Sequence, residues 1–168
     1  ATNPCGEVPL PPYGACLLGS INLAKLILDP FTESARLDTA ALDPLVEVAV
    51  RMLDNVIDVS RFPLEQQERE AKAKRRIGLG VTGLADALIM CGLRYGSPEA
   101  VTTTERWMAT LTERAYSASI LLAHEKGAFP LFDPDAYLAG ENVQGLSQLA
   151  REGIAEYGIR NALVTSVA

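Results

Sequence analysis

Three residues near the start of the chain, Asn3, Cys5 and Glu7, are the side chains best suited to chemistry. They alternate along the sequence, and in an extended backbone alternate side chains share a face about 6.6 Å apart. Such a face places one thiol between an amide and a carboxylate. Glu7 can take a proton from a hydroxyl, Asn3 can hold a second hydroxyl, and Cys5 can do nucleophilic or radical chemistry. The grouping fits a sugar-sized substrate, and the alternative is a frayed polar chain start without function.

The other cysteines and the one histidine are in less suggestive surroundings. Cys16 begins an apolar run and Cys91 lies at a predicted helix end, so each is by default a buried, inert thiol. His124 lies near the end of a long predicted helix, where the helix dipole favours it without catalysis. Because there is one histidine and no C-x-x-C pattern, we expect no metal site.

Gly78, Gly80 and Gly83 form the G-x-G-x-x-G pattern that marks dinucleotide-binding turns in other proteins. That fingerprint has to follow a buried strand, whereas residues 65–76 are charged and helix-forming. The context therefore argues against a dinucleotide site. We expect the glycines to allow close packing of a turn and the helix that follows it.

The elements that position these residues are predicted to be mainly helical. Capping residues and apolar periodicity predict a first helix that begins at Pro44 after Asp43. Its apolar face is expected to consist of Leu45, Val46, Ala49, Met52, Leu53, Val56 and Ile57. Further helices are expected over 64–76, 84–90, 98–126 and 147–157, with a loop over 128–144. Residues 15–28 read as a buried strand or short helix and 161–168 as a buried strand. The predicted fold is one mainly α-helical domain over residues 1–168, with a few short strands at its two ends.

The composition excludes several classes of function. The 168 residues hold 15 Lys and Arg against 21 Asp and Glu, and outside 72–76 no basic cluster favours nucleic-acid binding. No apolar run approaches the ~20 residues of a membrane helix, so no membrane partner is expected. Three cysteines are an odd number, which argues against a secreted disulfide scaffold and favours a cytoplasmic protein.

Five motifs spread along the chain resemble the large, catalytic subunit of ribonucleotide reductases. They are Asn3-Pro4-Cys5-Gly6-Glu7, C-L-L-G-S-I-N-L at 16–23, R-I-G-L-G-V-T-G-L-A-D at 76–86, E-K-G-A-F-P at 125–130 and R-N-A-L at 160–163. The Pro and Gly within the first motif are most similar to the adenosylcobalamin-dependent class. The likeness to the family's glycine motif at 76–86 also removes the dinucleotide interpretation.

The resemblance implies a radical mechanism that converts a ribonucleotide to a 2′-deoxyribonucleotide. Cys5 would become a thiyl radical and abstract the ribose 3′-hydrogen, and Glu7 would deprotonate the 3′-hydroxyl. Asn3 would hydrogen-bond the substrate hydroxyls, with residues 3–7 as the substrate-binding segment. Cys16 would be one of two thiols that reduce the 2′-position and end as a disulfide. Adenosylcobalamin would generate the radical by cleavage of its cobalt–carbon bond, and a dithiol would restore the thiols.

The resemblance also implies that the chain is an incomplete piece of the family's ten-stranded α/β barrel, since even an eight-stranded barrel takes about 250 residues. The partner of Cys16, a phosphate-binding loop and a C-terminal cysteine pair are expected outside residues 1–168, so the isolated chain should not turn over. We expect its apolar ends to be covered by self-association, as a homo-oligomer, or by helices.

Two other functions stay open at this point. One is a non-catalytic helical module for folding or interaction that retains the motif as a relic. The other is a glycyl-radical enzyme, which the lack of an isolated C-terminal glycine loop disfavours.

Overall fold

Two parallel strands lie at the centre of the fold in the computed structural model, which describes residues 1–167. Strand β1 (Leu17–Asn22) pairs with β4 (Ile77–Thr82) in register from Leu17 opposite Ile77 to Asn22 opposite Thr82. Strand β4 is the buried centre of this sheet, because all of its residues except the last are inaccessible to solvent.

Helices surround this pair and make up most of the chain. In chain order the remaining elements are a 3-10 helix (Leu23–Leu26), β2 (Ile27–Leu28), β3 (Arg36–Leu37), α1 (Thr39–Val59), α2 (Glu65–Lys74), α3 (Leu84–Met90), α4 (Pro98–Lys126), α5 (Pro134–Leu138), α6 (Glu141–Gln144) and α7 (Gln148–Tyr157). Strands β2 and β3 form a small antiparallel pair. The predicted class, mainly helical with few strands, is confirmed, and no closed barrel forms among residues 1–167.

The C-terminal segment extends the sheet along the free edge of β4. The amide of Ile77 donates to the Leu163 carbonyl at 3.0 Å, and that of Leu79 donates to the Val164 carbonyl at 3.0 Å. Leu79 and Thr165 form a parallel bridge. The buried strand predicted over 161–168 is thus a short pairing around residues 163–166, and Ala168 lies outside the described residues.

The position of β4 corrects the prediction that strands lie only at the two ends of the chain. The glycines of β4 prevent its prediction from the sequence, because Gly is depleted in strands and breaks the alternating pattern. A Cβ on Gly78 would lie 2.5 Å from Leu18 Cδ2 and 2.8 Å from Ser166 Cβ, and one on Gly80 would collide with the Ser166 carbonyl. The glycines therefore allow the neighbouring strands to pack closely against β4. The sequence predicted close packing at these glycines, but at a turn before a helix and not within a strand.

Helix α1 begins earlier than predicted, and its buried face agrees with the predicted one only in part. The Asp38 carboxylate accepts from the Ala41 amide at 2.9 Å, so this cap starts the helix and leaves Pro44 inside it. Of the predicted face, Val46, Leu53 and Ile57 are buried and Ala49 is partly buried, whereas Leu45, Met52 and Val56 are exposed. The buried face also contains Leu42, Val50 and Asp54.

The later helices follow their capping signals. Ser97 caps α4 and Gly127 ends it, and Ser147 and Gly158 bound α7, as predicted. Residues 128–144 are not all loop: α5 starts at an Asp133 cap and α6 follows it. These helices have five and four residues, too short for apolar periodicity to reveal. No helix within residues 1–167 combines the length and apolar character needed to cross a bilayer.

Candidate active site

The segment from Asn3 to Glu7 forms a tight turn instead of the extended strand expected. The Gly6 amide donates to the Asn3 carbonyl at 3.0 Å, and the Asn3 amide donates to the Val8 carbonyl at 3.1 Å. Gly6 has a φ of +81°, a left-handed conformation that glycine adopts without strain. Thr2 and Pro9 then pair as an antiparallel bridge that closes the loop. The turn, and not strand alternation, brings the predicted residues together.

The Asn3 side chain holds the loop from inside. Its Oδ1 accepts from the Val8 amide at 3.0 Å, and its Nδ2 donates to Oε1 of Glu7. Val8 is fully buried and anchors the loop on the body of the protein. The second carboxylate oxygen of Glu7, Oε2, is buried and has no hydrogen-bond partner among residues 1–167. One oxygen of Glu7 is therefore positioned by Asn3, and the other is left unsatisfied.

Cys5 lies at the exposed tip of the same turn, between Pro4 and Gly6. The proline fixes its own φ and the glycine supplies the positive φ, so both restrict where the thiol is placed. The structure thus presents a thiol, a carboxylate and an amide from one five-residue turn.

Cys16 lies directly before β1 and is half-buried. Burial raises the pKa of its thiol to about 11, while the Arg76 guanidinium lowers it and the Glu7 carboxylate raises it. The thiol is therefore protonated at neutral pH.

Arg76 links the Cys16 end of β1 to α2. Its carbonyl accepts from the Leu17 amide at 3.3 Å, next to Cys16. Its guanidinium donates to Glu70 at 3.0 Å, and Lys74 donates to the same carboxylate oxygen at 2.7 Å. Burial acts to raise the pKa of Glu70, but the hydrogen bonds from Lys74 and Arg76 outweigh it and lower that pKa.

Sequence reasoning missed a buried polar cluster around Asp54. Asp54 on α1 is completely buried and pairs with Arg75 and Arg160. A signal was present, because Asp54 follows Val50 by four residues and precedes Ile57 by three, which is a core position of α1. A charged residue at such a position requires buried partners.

The third cysteine and the histidine lie elsewhere, as predicted. Cys91 ends α3 and packs partly buried against the core, which raises its pKa. His124 stacks edge-on against Tyr157 with ring centroids 4.9 Å apart. Within residues 1–167, no group of three or more His, Cys, Asp and Glu side chains is placed to hold a metal ion.

Comparison with known proteins identifies the family of this chain. The family described as the ribonucleotide reductase barrel domain matches residues 1–168. The chain belongs to it. Among ribonucleotide reductases, the vitamin B12-dependent ribonucleoside-diphosphate reductase of Mycobacterium tuberculosis H37Rv is 48% identical over 168 residues, which are 100% of this chain and 21% of that protein.

More distant ribonucleotide reductases match as well. The vitamin B12-dependent ribonucleoside-diphosphate reductase of Thermoplasma acidophilum is 39% identical over the whole chain, which covers 19% of that protein. The ribonucleoside-diphosphate reductase subunit alpha of Chlamydia muridarum is 33% identical over 91% of the chain and 16% of that protein. The chain thus spans about a fifth of the length of its curated B12-dependent relatives.

Proposed function

We propose that the chain is the part of a ribonucleotide reductase that carries the radical-bearing turn, with Asn3, Cys5 and Glu7 as catalytic residues. One observation supports this above the others: Asn3 holds one oxygen of Glu7 while the other is buried and unpartnered, beside an exposed Cys5. A relic motif in a non-catalytic module has no need of an unsatisfied carboxylate oxygen, which costs stability.

The residues divide the first half of the reaction between them. The Cys5 thiyl radical takes the hydrogen atom from the ribose 3′-carbon, and the free Oε2 of Glu7 accepts the proton of the 3′-hydroxyl. Asn3 uses one Nδ2 hydrogen on Glu7, so its second hydrogen is free to donate to a substrate hydroxyl. Pro4 and Gly6 hold this turn against the substrate.

Cys16 supplies reducing equivalents for the second half. It and a second thiol, which we place outside residues 1–168, give up two electrons and two protons and form a disulfide. The substrate loses its 2′-hydroxyl as water and gains hydrogen at that carbon. A protonated Cys16 suits this step, because the thiol itself carries the required proton. A dithiol then reduces the disulfide.

Adenosylcobalamin is the proposed source of the radical, since the M. tuberculosis and T. acidophilum relatives are named vitamin B12-dependent. When bound, it supplies a carbon-centred radical by cleavage of its cobalt–carbon bond. The exposed position of Cys5 fits this cofactor, because the thiol at the tip of the turn is open to a large group approaching from solvent.

We further propose that residues 1–168 form a single domain section of the ten-stranded α/β barrel. Strands β1 and β4 and the segment 163–166 run parallel. A short parallel sheet of this kind is rare outside larger α/β folds. The remaining strands then come from other parts of a longer polypeptide.

The test uses that complete polypeptide with a ribonucleoside diphosphate, adenosylcobalamin and a dithiol. We expect deoxynucleotide formation that Cys5→Ser abolishes and that Cys91→Ser, the matched control, retains. Turnover that survives Cys5→Ser would overturn the assignment. Absence of both turnover and cobalamin binding in the unsubstituted protein would favour the non-catalytic module instead.

A further inference from the structure

We propose that Asp54 is a positioning residue for Cys16: its buried carboxylate fixes the start of β4, and β4 in turn holds the Cys16 end of β1. The inference rests on the redox role proposed for Cys16. Asp54 touches neither Cys16 nor the catalytic turn, so its effect has to pass through the residues between them.

The first step is the set of contacts around Asp54, which is 0% exposed. Its Oδ1 accepts from Arg75 Nε at 2.8 Å and from Asn161 Nδ2 at 3.0 Å, and its Oδ2 accepts from Arg160 Nε at 3.2 Å. Lys126 lies 3.8 Å from Oδ2. A buried carboxylate with this many donors connects α1 to the α2–β4 junction and to the C-terminal segment at once.

Arg75 is held in a backbone conformation that its own sequence does not favour. Its φ is +48°, in the left-handed region that a non-glycine residue adopts only with strain. Its guanidinium donates Nη2 to the Asp54 carbonyl at 2.9 Å and Nη1 to Asp58 at 2.8 Å. These bonds, with the Nε contact, offset the strain and fix where α2 ends and β4 begins.

Asn161 connects the same set of contacts to the segment 163–166 beside β4. Its Nδ2 also donates to the Arg75 carbonyl at 2.9 Å, and its Oδ1 accepts from Ser119 on α4 at 2.9 Å. Ala162 then donates to the Lys74 carbonyl at 2.9 Å. The segment 163–166 is therefore placed beside β4 by the residues that bind Asp54.

The last step runs from Arg75 to Cys16 through the neighbouring residue. The Arg76 carbonyl accepts from the Leu17 amide at 3.3 Å, directly after Cys16, which joins the Cys16 end of β1 to the start of β4. Among charged side chains, Arg76 acts to lower the pKa of the half-buried Cys16 thiol, and Glu7 acts to raise it. Without the Asp54 charge, the left-handed Arg75 loses a buried contact, so the start of β4 and its bond to Leu17 are no longer held in place.

Alkylation of Cys16 by iodoacetamide as a function of pH tests this without requiring turnover. The experiment uses the complete polypeptide, reduced with a phosphine, and follows the Cys16 and Cys91 peptides by mass spectrometry. In Asp54→Asn we expect Cys16 to react several-fold faster near pH 9, because a displaced start of β4 relieves the burial that chiefly raises the pKa of this thiol. The thiolate fraction then grows tenfold for each pKa unit. Cys91 should keep the rate of the unsubstituted protein.

Matched variants separate positioning from a general loss of packing. Asp58→Asn, which removes a half-exposed contact of Arg75, should change the Cys16 rate less than twofold. Arg76→Gln keeps the Asp54 contacts and removes a charge that lowers the Cys16 pKa, so it should slow Cys16 instead. A Cys16 rate that is unchanged or slower in Asp54→Asn, or equal acceleration at Cys16 and Cys91, would overturn the proposal.

If Asp54→Asn does not fold, Arg160→Gln takes its place, since it removes one contact of Asp54 and leaves the Arg75 pair intact. The expected acceleration at Cys16 is then smaller, and an unchanged Cys16 profile counts against the proposal. Failure of the proposed function would appear separately, as turnover that survives Cys5→Ser. The Cys16 profile does not depend on that result.

Discussion

At the scale of single residues, the types at the start of the chain indicated the chemistry but not the conformation. Asn3, Cys5 and Glu7 meet in a turn held by Asn3, whereas alternation suggested an extended strand. The sequence contained the reason, because Pro4 and Gly6 favour a turn. Asp54 was missed although its core position on α1 could be read locally; its partners could not, because they lie up to 107 residues away.

The hydrogen bonds made by the Asn3 side chain lead to a prediction about the Val8 amide. Asn3→Ala removes the acceptor of this buried amide, and a hydrogen bond of this kind contributes about 1 kcal/mol net. We expect hydrogen exchange at Val8 to become roughly fivefold faster, measured by NMR. Cys5→Ala is the control, since the exposed Cys5 side chain supports no such bond and exchange should stay as it was. Unchanged exchange in Asn3→Ala would show that the loop is held by other contacts.

At the scale of elements, capping residues predicted the helix bounds better than apolar periodicity predicted the buried helix faces. The Ser97 and Ser147 caps placed α4 and α7 because a cap acts within three residues. The buried face of α1 was predicted only in part, since apolar residues occur on more than one side of this helix and the sequence does not say which side is covered. Strand β4 was missed because its glycines serve contacts with partners distant in sequence.

Those glycine contacts make Gly80 critical for the sheet. In Gly80→Ala the new Cβ meets the Ser166 backbone, which cannot move aside like a side chain, so residues 163–166 should detach from β4. We expect a loss of about 1–3 kcal/mol in unfolding free energy by urea titration. Gly19→Ala in the neighbouring strand is the control, because its Cβ would lie 3.4 Å from the Leu53 side chain, an ordinary contact. Equal losses in the two variants would refute this account of β4.

The ion pairs of α2 should make part of the stability depend on pH. The pKa of Glu70 is lowered in the folded protein, so its contribution is present above the unfolded value of about 4.3 and is lost as the pH falls through the folded value. Glu70→Gln should cost about 1 kcal/mol at pH 7 in a urea titration, and the difference from the unsubstituted chain should shrink below pH 4. Glu65→Gln, an exposed pair on the same helix, should cost little at either pH. A cost for Glu70→Gln that does not change with pH would contradict the assignment.

At the scale of the whole molecule, one side of α1 has no neighbour within the described residues. Leu45, Val48, Met52 and Val56 recur at helical spacing and are exposed. Leu45, Val48 and Met52 line a groove of about 390 Å³ beside β1. In the proposed barrel another part of the polypeptide covers this face, which explains why both sides of α1 are apolar. Composition could not reveal it, since 48% hydrophobic residues suit a complete domain equally well.

When residues 1–168 stand alone, the uncovered face of α1 should drive association with a second copy of the chain. Burial of an apolar stripe of this kind lowers the free energy by about 25 cal/mol for each Å² removed from water. Met52→Lys places a charge in its centre, where the side chain is 56% exposed, so we expect light scattering to show a smaller particle at the same concentration. Ile89→Lys is the matched control, because Ile89 is 58% exposed on α3, outside the stripe, and its substitution should leave the particle size unchanged. A clean monomer of the unsubstituted chain at high concentration, or equal effects of the two lysines, would show that this face does not hold copies together.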